Sequence, residues 1–355
     1  MEKLINYIEI ISGGTPKTST PSYWNGNIPW LSVKDFSNVN RYVQSAEKSI
    51  TDLGVQNSAT NILKKNDIII SARGTVGRIA LIDSPMAFNQ SCFGLRSKSN
   101  QLDQLYLYYW LSVNVKQLQS QANGGVFDTI IRSSFENIYI TLPTIDVQHH
   151  IVDTIGSIDD LIENLNETKE SLHKLMSAKL FLEECNLVTL DDYIDIYDNI
   201  RKPLSSMERI GEKTYPYYGA TGVLDFVSNY IFDDEYVLLA EDGSVMTIEE
   251  TPIVQYINGK TWVGNHAHVL KSKNGLGLYG LYFILKDTNV KNAVTGAVQM
   301  KINQANLKKL LIKLPMNLDD FNILSDSVMK KINNIDSKIK KLINLKQQYL
   351  KKFFG

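Results

Sequence analysis

Two stretches of the chain repeat apolar residues at spacings of three and four. The first holds Ile155, Ile158, Ile162, Leu165, Leu172 and Met176, and the second holds Ile332, Ile335, Ile339, Leu342, Tyr349 and Phe353. Such spacing lines one face of a helix and is the a/d seam of a coiled coil. Both seams are interrupted at the same step, by Lys169 and by Lys346. The pattern predicts two helices of about 35 to 40 residues, each on the order of 55 Å long at 1.5 Å per residue, that pair with each other. Elsewhere the apolar runs are short. Asp67–Gly74 and Glu235–Gly243 read as buried strands that end in glycine turns.

The whole chain repeats in the same way, which alters the meaning of every local motif. Leu4–Ile10 is echoed by Leu190–Ile196, and Ile28-Pro29-Trp30 by Tyr215-Pro216-Tyr217. Gly124–Ile130 aligns with Gly296–Ile302, and at the same offset Ile140-Thr141-Leu142-Pro143 aligns with Ile312-Lys313-Leu314-Pro315. The order is therefore domain, helix, domain, helix: a first domain over 1–143, a helix over 144–184, a second domain over 185–316 and a helix over 317–355. The expected fold class is α+β, with mixed sheets in two tandem domains. The long helices form an antiparallel coiled coil, giving a pseudo-two-fold internal repeat.

Charge supports the antiparallel pairing. The first helix carries Asp146, Asp153, Asp159, Asp160, Glu163, Glu167, Glu170, Glu183 and Glu184 against Lys169, Lys174 and Lys179. In the second, Lys330, Lys331, Lys338, Lys340, Lys341, Lys346, Lys351 and Lys352 outnumber Asp319, Asp320, Asp326 and Asp336. Exposed ion pairs are each worth only tenths of a kcal/mol, so the apolar seam must supply most of the stability.

The chain has 355 residues, 43% of them hydrophobic, with neither glycine nor proline in excess, and this excludes a disordered or fibrous protein. Its start lacks a basic segment followed by a long apolar run, and no window reaches membrane-spanning length, so a cytoplasmic location is expected. Cys92 and Cys185 are too few for a disulfide framework or zinc cluster and read as small buried residues. Gly74-Thr75-Val76-Gly77 lacks the Lys-Ser/Thr of a phosphate loop, and neither Gly-x-Ser-x-Gly, His-Glu-x-x-His nor an Asn-Pro-Pro-Tyr type segment occurs. Asp233-Asp234-Glu235 and Glu249-Glu250 read as solvated turns. No catalytic site is expected. His266 and His268 alternate as in a strand and so face one side, but no third ligand accompanies them and no metal is expected.

Ser12-Gly13-Gly14-Thr15-Pro16-Lys17-Thr18, followed by Tyr23–Leu31, resembles the opening of a target-recognition domain in the specificity subunits of type I restriction-modification systems. The Arg73–Gly77 turn, Asn89-Gln90-Ser91-Cys92 and the Leu-Pro pairs before each long helix extend the resemblance over essentially the whole chain. It implies a non-catalytic subunit that reads a split, asymmetric target in double-stranded DNA through two domains. The paired helices then act as a ruler and docking surface for two methyltransferase subunits, and for restriction subunits where present. S-adenosylmethionine is implied for the methyltransferase partner, ATP and Mg for a restriction partner, and no cofactor for this chain. A coiled-coil adaptor that binds no DNA is the alternative.

Direct readout uses Arg or Lys against guanine and Asn or Gln against adenine, with hydroxyl, backbone and aromatic contacts to phosphate and sugar. Candidates in the first domain are Lys17, Thr18, Lys34, Arg73, Arg78, Asn89, Gln90 and Arg132. Those in the second are Tyr217, Tyr218, Lys260, Asn265, His266, His268 and Lys301. Gly13, Gly14 and Gly74 read as turn formers. A net charge of -1 leaves little general attraction for phosphate, so the chain alone is expected to bind DNA weakly.

Overall fold

A computed structural model describes residues 1–36, 40–120, 129–296 and 299–355. The chain forms two compact units, one of residues 1–165 with 338–355, the other of residues 166–337. Residues 124–128 and 297–298, which belong to one of the repeat matches, lie outside the described residues.

The first unit opens with β1 (Glu2–Lys3), β2 (Ile8–Ser12), β3 (Trp24–Leu31), β4 (Tyr42–Val43), β5 (Lys48–Ile50) and a short α1 (Asp52–Gln56). It continues with β6 (Ile62–Leu63), β7 (Ile68–Ser71), β8 (Ile79–Ile82), β9 (Met86–Phe88), β10 (Cys92–Ser97), α2 (Gln104–Ser120) and β11 (Tyr139–Ile140). One sheet runs β2-β10-β7-β8-β4 and a second β5-β3-β9-β6, while β1 pairs with β11. The β-branched run Ile68-Ile69-Ile70 is buried throughout, as suits a central strand covered on both faces. The long helix α3 follows, over Ile145–Leu182.

The second unit holds β12 (Cys185–Thr189), β13 (Ile194–Ile196), β14 (Tyr215–Tyr218), β15 (Val223–Val227), β16 (Phe232–Asp233) and β17 (Tyr236–Ala240). After these come β18 (Val254–Ile257), β19 (Lys260–Val263), β20 (Ala267–Ser272), α4 (Leu278–Lys286), α5 (Gln304–Lys308), β21 (Leu311–Pro315) and α6 (Leu318–Phe354). Its sheets run β13-β20-β17-β18 and β15-β14-β19-β16, with β12 paired to β21. Apart from the edge strand β4, this repeats the first unit's order strand for strand, down to a parallel pair in the second sheet. Trp30-Leu31 lies beside Ala87-Phe88 as Tyr217-Tyr218 lies beside Trp262-Val263.

The long helices pair antiparallel through the apolar seam. In the first unit Ile151 and Ile155 share a core with Leu4, Tyr106 and Tyr109, against which Tyr349, Leu350, Phe353 and Phe354 pack. In the second, Met176 and Leu180 share a core with Phe321, Val328, Met329 and Ile332, with Leu172 packed against it. Among the predicted seam residues Ile155, Ile158, Ile162, Met176, Ile332 and Ile335 are buried. Leu165, Leu172, Ile339, Leu342, Tyr349 and Phe353 are half-buried.

The two lysines that interrupt the seam make its ion pairs. Lys346 Nζ lies 2.7 Å from Asp159 in the first unit, and Lys169 Nζ lies 2.6 Å from Asp336 in the second. Asp159 and Lys169 stand four and fourteen residues after Ile155, as Asp336 and Lys346 stand after Ile332, so the pairs are reciprocal. Each helix start is also tied to its own domain. The buried Gln148 side chain accepts from Asp103 N–H and donates to the Gln101 and Pro143 carbonyls. Asn322 does similar work, accepting from Gly277 N–H and donating to the Gly275 carbonyl. Cys92 is buried, but Cys185, expected to be buried as well, is only half-buried at the start of β12. No helix among the described residues is long and apolar enough to cross a membrane.

Candidate nucleic-acid interface

In the first unit, four chain segments meet at the ends of β2, β3, β7 and β9, tied together by backbone hydrogen bonds. Gly14 N–H donates to the Phe88 carbonyl, Asn89 N–H to Leu31 and Ala72 N–H to Ser91. The glycines permit this closeness. A Cβ on Gly13 would sit 2.1 Å from the Asn89 oxygen, and one on Gly14 would sit 2.4 Å from Thr60 N. Trp30 Nε1 donates to the Gly14 carbonyl at 2.9 Å, and the Thr15 hydroxyl donates to Gln90. Gly74 turns the segment after β7 through a φ of 76°, a conformation a glycine adopts without strain.

The rim so formed exposes Lys17, Thr18, Lys34, Arg73 and Gln90. Other candidates are placed differently. The Asn89 side chain accepts from Ser91 N–H at 3.0 Å, so it holds the turn instead of projecting from it. Arg132 is exposed but ties its guanidinium to the Ile10 carbonyl at 3.1 Å. Arg78, half-buried, lines a cleft of about 410 Å³ with Arg41, Tyr108, Asp159 and Glu163. Arg41 donates to Asp160, Glu163 and Tyr109 there. This guanidinium holds the Glu163 carboxyl below the usual range, outweighing the effect of burial.

The second unit builds an equivalent rim. Gly264 N–H donates to the Tyr218 carbonyl, Lys202 N–H to Val263 and Glu241 N–H to His266. Asn265, His266 and Lys301 are exposed on it. Lys260 is exposed too, with its ammonium 4.7 Å from the Tyr230 ring centre, at the opposite end of β19. Tyr218 is half-buried, and burial raises its hydroxyl above the usual range. Tyr217 is buried; its hydroxyl accepts from Leu204 N–H and Arg209 stacks on its ring. It is a core residue and offers no platform for a base.

His268 requires the clearest correction. Its side chain is fully buried, with Nδ1 2.6 Å from Asp198 and Nε2 2.7 Å from the Ile302 carbonyl. Both ring nitrogens are engaged by oxygens inside the domain, so neither is available to DNA. His266, by contrast, is exposed just before β20 and pairs with Asp242.

Four charged groups, which the linear pattern does not bring together, surround His268. Asp198, Glu241 and His268 bring potential ligand atoms within 4.8 Å of one another. Arg201 already spans the two carboxylates, 3.1 Å from Asp198 and 2.6 Å from Glu241, and Lys301 lies 3.0 Å from Glu241. Burial raises the Asp198 carboxyl, but hydrogen bonds from His268, Val269 N–H and Gln304 pull it below its ordinary range. Burial likewise raises Glu241, and Arg201, His268 and Lys301 overcome it. Carboxylates so engaged by fixed cations suit an ion-pair network better than a divalent metal. The signal was the replacement of Ala72-Arg73 by Glu241-Asp242 between the repeats.

The family model for the type I restriction modification DNA specificity domain matches the chain twice, over residues 3–174 and 183–347. A type I restriction enzyme specificity subunit of Methanocaldococcus jannaschii is 29% identical over 178 residues, 49% of this chain and 41% of that one. A putative counterpart of Haemophilus influenzae is 36% identical over 151 residues, 42% of this chain and 37% of that one. These matches thus span about two-fifths of the relatives' length. The EcoprrI specificity subunit of Escherichia coli is 21% identical over 375 residues, covering 92% of this chain and 91% of that one. The S subunit of a type I restriction-modification system from M. genitalium shares the fold, with a TM-score of 0.55 at 18% identity over 99% of this chain and 94% of that one.

Proposed function

The chain belongs to the type I restriction modification DNA specificity family, and we propose that it selects the DNA target of a restriction-modification complex while other subunits perform the chemistry. The observation that carries this reading is the double match of the family model, one match to each of two sequence halves whose strands follow the same order. Duplex DNA presents two approximately symmetric backbones, and a duplicated fold can meet both while its differing loops read different bases. A split, asymmetric target follows from that arrangement. In this reading the antiparallel helices space the two recognition units and dock two methyltransferase subunits and any restriction subunits.

The chain itself would carry no active site and bind no cofactor. S-adenosylmethionine belongs to the methyltransferase partner, and ATP with Mg to a restriction partner. The test is co-expression with the candidate methyltransferase and mapping of modified adenines across the host genome, with the partner alone as control. A split motif that appears only when both are present is the expected result. Failure of the two chains to associate would favour a coiled-coil adaptor instead.

A further inference from the structure

The two rims differ in charge at equivalent backbone positions. Strand pairing sets Ile10 and Ile68 beside Leu95 in the first unit, and Ile196 and Val237 beside Leu270 in the second. Counting onward from these residues, Ser12 matches Asp198, Ala72 matches Glu241 and Arg73 matches Asp242. The second rim has gained three carboxylates and lost an arginine.

Those carboxylates engage the cations around them. Arg201 is held by Asp198 and Glu241 and Lys301 by Glu241, the His266 ring hydrogen-bonds Asp242, and the exposed Lys202 beside them brings the rim's lysines and arginine level with its three carboxylates. In the first unit Lys17, Lys34 and Arg73 are exposed, and none has an ion-pair partner among the described residues. A cation already paired gains little by exchanging its carboxylate for a phosphate, and the carboxylate left behind repels the DNA. A free exposed cation displaces condensed counterions when it meets a phosphate, and that release gives affinity its salt dependence.

From this asymmetry we propose that the first unit's rim, through Lys17, Lys34 and Arg73, is the electrostatic anchor on the DNA backbone, and that the second unit's rim approaches DNA internally neutralised and contributes neutral contacts. The inference rests on the DNA-reading role proposed above. It also accounts for a net charge of -1 in a DNA-reading chain, because the basic footprint is local to one rim.

The test uses the full chain and a random-sequence duplex, with affinity followed by fluorescence anisotropy between about 50 and 200 mM salt. Replacing Lys17, Lys34 and Arg73 together by Ala should flatten the log–log salt slope by about 2.7, at roughly 0.9 per phosphate contact, so that affinity lost over this fourfold range shrinks by about 40-fold. Lys301→Ala should leave the slope nearly unchanged, where a free phosphate contact would give about 0.9. Asp242→Asn, which frees His266 from its carboxylate and removes a repulsive charge, should raise affinity at low salt. Flattening by about 0.9 in Lys301→Ala, an unchanged slope in the triple variant, or weaker binding by Asp242→Asn would overturn the asymmetry. A wild-type chain that binds no duplex at any salt would instead overturn the DNA-reading role and the inference with it.

Discussion

The reciprocal ion pairs of the helix seam allow one interaction to be measured at two degrees of burial. Asp159 has a side chain only 6% exposed and receives hydrogen bonds from Lys346 Nζ at 2.7 Å and Tyr109 Oη at 2.9 Å. Burial, with the neighbouring Asp159 charge, holds the Tyr109 hydroxyl well above its ordinary range, so it remains a donor. Lys346→Met keeps the stem length but strands the carboxylate with one donor. Loss of one partner from a buried pair costs about 3 to 5 kcal/mol. Because Lys346 itself is 22% exposed, water can partly replace it, and about 2 to 3 kcal/mol is the expected loss. The equivalent change at Lys169, whose partner Asp336 is 49% exposed, should cost no more than about 1 kcal/mol.

Urea denaturation followed by circular dichroism would measure both, with Asp159→Leu/Lys346→Met as the third variant. Replacing a buried pair by apolar residues is often neutral, so the double variant should recover most of the loss. Equal costs for Lys346→Met and Lys169→Met, or a double variant no better than the single, would refute the argument that burial sets the value of these pairs.

Protonation of His173 should make stability depend on pH. The ring packs beside Tyr282 and Phe283, and burial, aided by the Lys286 charge, lowers its pKa to about 4 from the ordinary 6.5. The unfolded chain then binds the proton more readily, so stability present above about pH 6.5 is lost as pH falls toward 4, by about 2 kcal/mol after allowing for partial exposure. His173→Phe should remove that part of a stability profile measured across this range. Gly14→Ala should cost at least about 3 kcal/mol or displace the rim, since its Cβ would press on backbone at 2.4 Å; a thermal midpoint equal to wild type would contradict the close packing. Ile162→Asp with Ile339→Asp should part the seam of the first unit and abolish co-purification with a methyltransferase partner; retained association would argue against docking through the helices.

Much of the architecture was legible without coordinates because it is written in local periodicity. Heptad spacing requires no knowledge of distant residues, and the repeat of Ile28-Pro29-Trp30 in Tyr215-Pro216-Tyr217 corresponds to strands in the same register. Gly13 and Gly14, read as turn formers, instead allow close backbone approach, and of the three glycines so read only Gly74 turns the chain with a positive φ. The rim residues were legible as residue types but not as surfaces. Lys17, Lys34 and Arg73 are exposed with no ion-pair partner among the described residues, whereas Asn89, Arg132, Tyr217 and His268 are occupied within the fold.

The linear pattern determined that there are two halves, two long helices and an apolar seam between them, because hydrophobic periodicity is a property of neighbours along one element. Which charges remain available was decided by tertiary structure alone. Asp198 meets Arg201 three residues on by local geometry, but Glu241 reaches Arg201 and Lys301, and Asp198 reaches His268, only when β13, β17 and β20 are assembled. Whether a cation faces solvent or a carboxylate depends on which distant residue folding places within a few ångströms, and electrostatic energy falls off with that distance, not with separation along the chain.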